Sequence, residues 1–371
     1  MSTIHVVHVE TGRHVYGGAR QVLYLLEHLP ALDTRCTLVC PLGAEIGQQA
    51  RKLGAEVIEL PMRGDLDVAF AFRFASLLRR LKPDLVHVHS RRGADVWGGL
   101  GAKWAGVPAI LSRRVDNPEG KLAVRLKYPL YRRVITIAEG IRTVLLQCGV
   151  PAEQVQTVRS AIDPAPFQAP ATQTELRSEF AIAPAAAGEL IVLGIVAQLI
   201  PRKGHALLLD CLAHIAPQWP QVRLIIFGRG PQEEALRAQV AALGLAQQVV
   251  FAGFRNDLPR WLGALDLLVH PASMEGLGVS LLQAAAAGVP VLACRAGGIP
   301  EAVADERTGV LVPPNDAPAL TAALLRLLQN PSLRQRLGAA GPAWIAQEFA
   351  AAQMAAGNRA VYQQVWSGTS S

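Results

Sequence analysis

Short apolar runs rich in Val, Ile and Leu alternate along this chain with longer stretches whose apolar residues recur every three to four positions. In the first half the runs fall at 4–10, 36–40, 56–60, 85–90, 109–112 and 134–138. In the second they fall at 190–198, 223–228, 249–254, 265–271, 289–294 and 309–314. Runs of this length between turn signals predict strands, and the stretches between them predict helices. Several, such as LIVLGIVAQ and RLIIFG, are almost continuously aliphatic, as strands covered on both faces require. Regular strand–helix alternation predicts parallel sheets with helices on both sides. Residues 163–188 interrupt the rhythm with Pro, Ala and polar residues and predict a hinge. After Asn315 the pattern is helical to the end. The expectation is an α/β chain of two doubly wound, Rossmann-like domains facing each other across a cleft, over 1–165 and 166–345, followed by a terminal helical segment, 346–371. A ligand is expected between them, at the carboxyl ends of the strands.

A length of 371 residues suits two domains. Composition is that of a soluble α/β protein, with few aromatics. The five cysteines include no CxxC pair. Cys36 and Cys40 fall in one expected strand, about 13 Å apart at roughly 3.3 Å per residue, too far to share a metal. Buried free thiols of a reducing compartment are the expectation. The chain opens on an apolar strand pattern without a basic-then-apolar leader, and its apolar runs are too short to span a bilayer, so the expected location is cytoplasmic. Charge changes that picture in one respect. Residues 1–165 hold 22 Lys and Arg against 15 Asp and Glu, so the whole net charge of +7 resides there. Basic clusters stand at 79–82, 90–93, 112–116 and 125–133. Few aromatics interleave with the arginines and no nucleic-acid signature accompanies them, which favours peripheral contact with the anionic inner-membrane surface over nucleic acid.

Candidate chemistry gathers at glycine-containing strand-to-helix turns. Gly17-Gly18-Ala19 opens the first expected helix; Gly228-Arg229-Gly230 and Glu275-Gly276-Leu277-Gly278 are similar turns in the second half. Such turns let the backbone approach a ligand closely and direct free N–H groups at an anion. No full GxGxxG and no GxxxxGK[ST] occurs, which disfavours a dinucleotide or P-loop site. His87 and His89 share one strand face, a spacing open to metal ligation, but no third ligand is nearby and neither domain offers a Cys/His cluster. The DLD run at 65–67 reads as a surface turn. No metal and no cofactor is expected.

The order IVAQLIPRKGH (195–205), IIFGRGP, VVFAGF, HPASMEGLGVSLLQAAAAGVPVLACRAGGIPEAV and TGVLVPPND resembles the large family of retaining nucleotide-sugar glycosyltransferases with the GT-B fold. GGAR, DLVHVHS and VRSAID in the first half match more loosely. The resemblance implies transfer of a sugar from a nucleoside-diphosphate donor, UDP-linked by expectation, to a hydroxyl acceptor, in lipopolysaccharide or another cell-surface glycan. The second domain would hold this donor substrate, the first a lipid-linked or oligosaccharide acceptor, and the last helix would cross back to the first. On this pattern Glu275 holds the sugar hydroxyls, and Lys203 and the amides of Gly276, Leu277 and Gly278 support the diphosphate. Gly17, Gly18, Gly228, Arg229, Gly230 and Phe254 line the donor site, while His89, Arg91 and Arg114 meet the acceptor.

Three positions depart from the pattern. Gln198 stands where an arginine flanks the pyrophosphate, with Arg202 adjacent as a substitute cation. Gln283 replaces the acid that grips the ribose, and its amide forgoes a charge-assisted bond. Arg114 stands where a histidine is usual; it is a fixed cation and not a proton shuttle. Glu275, Lys203 and Arg114 are the expected catalytic set. The departures keep open a non-catalytic sugar-nucleotide-binding or partner subunit, and a sugar-nucleotide epimerase shares the architecture.

Overall fold

The computed structural model describes residues 3–89, 93–183 and 188–368. Seven strands form the first sheet: β1 Ile4–Val9, β2 Thr34–Cys40, β3 Glu56–Glu59, β4 Leu85–Val88, β5 Ala109–Arg113, β6 Arg133–Thr136 and β7 Val155–Thr157. Six form the second: β8 Ile191–Val196, β9 Val222–Phe227, β10 Val249–Gly253, β11 Leu267–His270, β12 Val291–Cys294 and β13 Gly309–Val312. The twelve expected strands are all present. β7 was not foreseen, because three residues with one apolar position carry no readable period.

All pairings between these strands are parallel. The orders are 3-2-1-4-5-6-7 and 10-9-8-11-12-13. In each sheet the strand order therefore reverses at one point, between β1 and β4 in the first and between β8 and β11 in the second. In open α/β sheets, the carboxyl ends of the strands flanking that point form the ligand crevice. The strands are buried because helices cover both faces. Ile4 and Val6 of β1 enter one apolar core while Val7 and Val9 enter the other, the alternation a pleated strand imposes.

The chain divides into two compact units, Met1–Ala161 with Phe349–Ser371, and Ile162–Glu348. The helix Ala351–Ser367 packs on the helix Gly17–His28 and sends Val361 and Tyr362 into the core of the first unit. The stretch from 163, expected as a hinge, is built structure over its described part. The helix Gln173–Glu179 has a capping box between Thr172 and Glu175. Gln173 bonds Asp266, and Ala171 N–H donates to the Arg260 carbonyl, tying the segment to the second unit. Proline and alanine here reflect capped turns, not a free linker. The five cysteines are free thiols, four of them buried.

Candidate functional site

In the second unit the residues following β8 and β11 are stitched together. β8 leads into a single turn, Pro201–Lys203, closed by Gly204 at φ +75°. A Cβ at Gly204 would lie 2.2 Å from the Pro271 carbonyl oxygen, so only glycine lets this turn press on the end of β11. Ser273 N–H donates to the Arg202 carbonyl, and Arg202 Nη1 donates to the Met274 carbonyl at 3.2 Å. The loop then carries Glu275 and enters the helix Val279–Ala286 through Gly278. Gly298 N–H donates to the Glu275 carbonyl at 3.0 Å, and Gly297 passes so close that a Cβ would sit 2.0 Å from it.

This scaffold brings two side chains and one backbone N–H onto one carboxylate. Glu275 Oε2 accepts from Lys203 Nζ at 2.5 Å and from His270 Nε2 at 2.9 Å, and Oε1 accepts from Gly276 N–H at 3.1 Å. Lys203 and His270 are buried and Glu275 is nearly so. Burial pushes the Glu275 carboxyl up, but the His270 hydrogen bond and the Lys203 charge more than offset it, and the group lies at about 2. The site is a nearly buried anion held by a buried cation. Burial likewise lowers nearby His205 to about 4.

The corresponding place in the first unit is built differently. β1 and β4 are neighbours, with His8 opposite His87. His8, His87 and His89 are buried, and their donor atoms lie within 4.8 Å of one another. His8 is the third imidazole that the sequence did not show near His87 and His89. The bonds fix the proton positions. Arg114 Nη2 can only donate, so His89 Nδ1 accepts at 3.4 Å and its Nε2–H donates to His8 Nδ1 at 3.0 Å. His87 bonds Tyr362 Oη at 2.7 Å and Ser112 Oγ at 2.9 Å. A metal on His89 Nε2 would need a proton on Nδ1, the atom that accepts from Arg114; hydrogen bonds use these lone pairs. Burial drives His8 down to about 3 and holds His87 and His89 well below the usual range, with Arg114 adding to both latter shifts. Burial also lowers Arg114 to about 10 against the opposing pull of Glu10. Arg114 Cδ lies 3.6 Å from where a Cβ at Gly18 would be.

The remaining expected residues are placed as follows. Gly17 begins the helix Gly17–His28, whose first turn has no acid and no side-chain cap. Gln198, Arg202, Arg229 and Phe254 are exposed, and Gln283 is half-buried on the helix Val279–Ala286. Gly228 and Gly230 fit against the Ala197 and Leu199 carbonyls, so close packing accounts for glycine at both. Leu277 is buried. Arg91 lies outside the described residues. Asp67 of the DLD run caps the helix Val68–Leu81 and pairs with Arg73 at 2.6 Å. Two of the expected basic residues are internal: Arg113 and Lys127 share Glu119 in a buried network. Sequence reasoning missed His8, His270 and Gly297. His270 stands five residues before Glu275, where only the fold-back of the loop reveals their contact.

A family model described as Glycosyltransferase Family 4 matches residues 15–166, and one described as Glycosyl transferases group 1 matches 178–344. A GDP-mannose-dependent alpha-(1-6)-phosphatidylinositol monomannoside mannosyltransferase of Mycolicibacterium smegmatis is 37% identical over 42% of this chain and 44% of its own length. The lipopolysaccharide core biosynthesis mannosyltransferase LpsB of Rhizobium meliloti is 34% identical over 55% of this chain and 59% of its own. The chain thus spans about half the length of these curated relatives. Among solved structures, Anabaena Alr3699/HepE in complex with UDP superposes with a TM-score of 0.82 at 20% identity, over 97% of this chain and 100% of that one.

Proposed function

The chain belongs to the glycosyl transferases group 1 family and has the GT-B fold; we propose that it moves a sugar from a nucleoside-diphosphate donor to a hydroxyl acceptor, with retention and without a metal. The observation that carries this reading is the Glu275–Lys203 pair at the carboxyl ends of β11 and β8, where strand order reverses. Glu275 Oε1 accepts from the sugar hydroxyls, and Lys203 meets the diphosphate. The acceptor oxygen bonds to the anomeric carbon as the carbon–oxygen bond to the diphosphate breaks. The bonding electrons stay with the departing phosphate oxygen, which also takes the acceptor proton on the same face. Lys203 and the amides of 276–278 stabilise that oxygen's charge. The first unit binds the acceptor beside Arg114 and His89.

A lipid-linked acceptor of a cell-surface glycan, lipopolysaccharide among them, is supported by the names of the two mannosyltransferase relatives. The first unit also exposes Leu66, Phe72, Trp104, Leu122 and Leu126 beside exposed Arg79, Arg80, Lys121 and Arg125. Apolar side chains flanked by cations suit peripheral contact with an anionic bilayer. No helix among the described residues is long and apolar enough to cross a membrane.

The test is donor turnover by purified protein against UDP- and GDP-linked sugars, in excess chelator, with anomeric configuration read by NMR. UDP-linked turnover with retention supports the reading. Turnover that vanishes on chelation and returns with Mg²⁺ overturns its metal-free part, and failure to bind or turn over any donor favours a partner subunit.

A further inference from the structure

We propose that His270 is a positioning residue for Glu275: it anchors Oε2 from the end of β11, so that Lys203 can turn to an incoming diphosphate without releasing the carboxylate. This rests on the reading of Glu275 as the sugar-holding acid. The two carboxylate oxygens are unequally used. Oε2 takes both Lys203 Nζ and His270 Nε2, while Oε1 takes the adjacent Gly276 N–H alone among the described residues. Oε1 is thus the oxygen left for a ligand hydroxyl. The anchors on Oε2 also differ in kind. Lys203 is a point charge on a flexible four-carbon stem, and one ammonium cannot stay centred on Oε2 while it serves a diphosphate. His270 is a short, planar group with 0% exposure, fixed by the last residue of a buried strand.

The imidazole has no other use in the structure. A carboxylate only accepts, so Nε2 carries the proton, and Nδ1 has no partner among the described residues. The preceding strand residues are Leu267, Leu268 and Val269, all buried and apolar. A buried polar ring with one hydrogen bond is a poor choice for packing alone. Its one bond goes to the carboxylate that the proposed chemistry needs. Once Lys203 leaves for phosphate, that bond is what keeps Oε1 aimed at the sugar.

The test compares His270→Leu and His270→Gln in the full chain, with UDP-glucose and GDP-mannose as donors and UDP and GDP as sugar-free probes. Leucine fills the space without a donor, whereas the glutamine amide can place an N–H near Nε2. The Leu variant is expected to lose about tenfold to a hundredfold in kcat and in affinity for the nucleotide sugar, the range of one hydrogen bond to a charged group. Binding of UDP or GDP should stay within about twofold, since Lys203 is untouched. The Gln variant should recover most of the loss at an unchanged Tm. Equal losses for nucleotide and nucleotide sugar, unchanged kcat in a folded Leu variant, or no rescue by Gln would each overturn the proposal. Glu275→Gln separates the two readings. If it turns over normally, the role of Glu275 falls and that of His270 with it; if it fails while His270→Leu works, only the positioning role falls.

Discussion

The two units place side chains at the same topological position and fill it with opposite electrostatics. Where β8 and β11 part, a buried carboxylate meets a buried ammonium and an imidazole. Where β1 and β4 part, three uncharged imidazoles back a half-buried arginine whose side chain bonds His89 and Ser160 among the described residues. One arrangement holds a charge pair in direct contact; the other sets a cation against neutral rings, with the Glu10 carboxylate acting on it through space. A buried pair is vulnerable to loss of either partner, because the survivor is left charged in a poor solvent. A buried neutral network is vulnerable instead to protons, because any imidazole that charges must leave. The shared fold sets where the crevice opens, and local chemistry sets what breaks it.

The largest expected effect follows from the pair. Glu275→Ala should lose transfer and should also destabilise the second unit by about 3–5 kcal/mol, since it strands the Lys203 ammonium. Loss of activity in that variant is therefore ambiguous on its own. The double variant Lys203→Met with Glu275→Gln removes both charges and should recover most of the stability while staying inactive. Thermal melts and donor turnover on the three proteins check this. A double variant no more stable than Glu275→Ala would show that charge pairing is not what the site depends on.

Acid should separate the units next. His8, His87 and His89 have folded-state values below the unfolded 6.5, so the unfolded chain takes up protons first as pH falls. Their contribution is full above 6.5 and is lost as pH falls below it, towards about 3 for His8, at up to about 1.4 kcal/mol per pH unit for each ring. Among the described histidines of the second unit, His205 alone is shifted in the same direction, to about 4. Glu275, at about 2, keeps its contribution above 4.5 and loses it only as pH falls towards 2. Hydrogen exchange should therefore show β4 and β5 losing protection before β11 and β12 between pH 6.5 and 5. Equal loss in both sheets would remove the proposed contrast.

Much of this was legible in the sequence, and the limits have a physical cause. Strand–helix alternation and turn chemistry are local, so the runs ending at 10, 90, 198 and 271 already marked the four strands that flank the two crevices. Partnership across a parallel sheet is not local. Lys203 and Glu275 are 72 residues apart and His8 and His89 are 81 apart, and only strand order makes them neighbours. Within IHVVHVE, His8 has the same alternation as Val6, so nothing in the strand distinguishes a network member from a core residue. Charge counts misled for a similar reason. Arg113 and Lys127 contributed to the basic surplus, yet both are neutralised inside the first unit.

A smaller effect is expected at Arg114. Removing its guanidinium in Arg114→Met takes a cation from the field of buried Glu10 and leaves His89 Nδ1 to change tautomer, a cost of about 1–2 kcal/mol. Acceptor KM should rise while donor affinity holds. Arg114→Lys should not restore it, because a point charge lacks the planar fork. Initial-rate measurements at varied acceptor decide this, and a matching loss of donor affinity would move Arg114 into the donor site.

The smallest expected effect concerns Gln283. In a pocket rebuilt around glutamine, Gln283 would trade hydrogen bonds with Gln198, and a carboxylate there would repel the diphosphate. The structure gives that arrangement no support: Gln198 is exposed, Gln283 is half-buried, and their side chains make no bond to each other among the described residues. Gln283 lies one turn beyond Gly278, on the helix whose N-terminus is proposed to face the diphosphate, so its amide is free to meet a ribose hydroxyl. Gln283→Ala should therefore weaken donor binding by about 0.5–1.5 kcal/mol, or several-fold. Gln283→Glu should match or exceed wild type, because a carboxylate makes stronger bonds to hydroxyls and the helix N-terminus favours negative charge nearby. Donor titrations on both variants discriminate. Weaker binding by the Glu variant than by wild type would mean that the proposed donor site accepts one carboxylate, the one Lys203 holds, and not two.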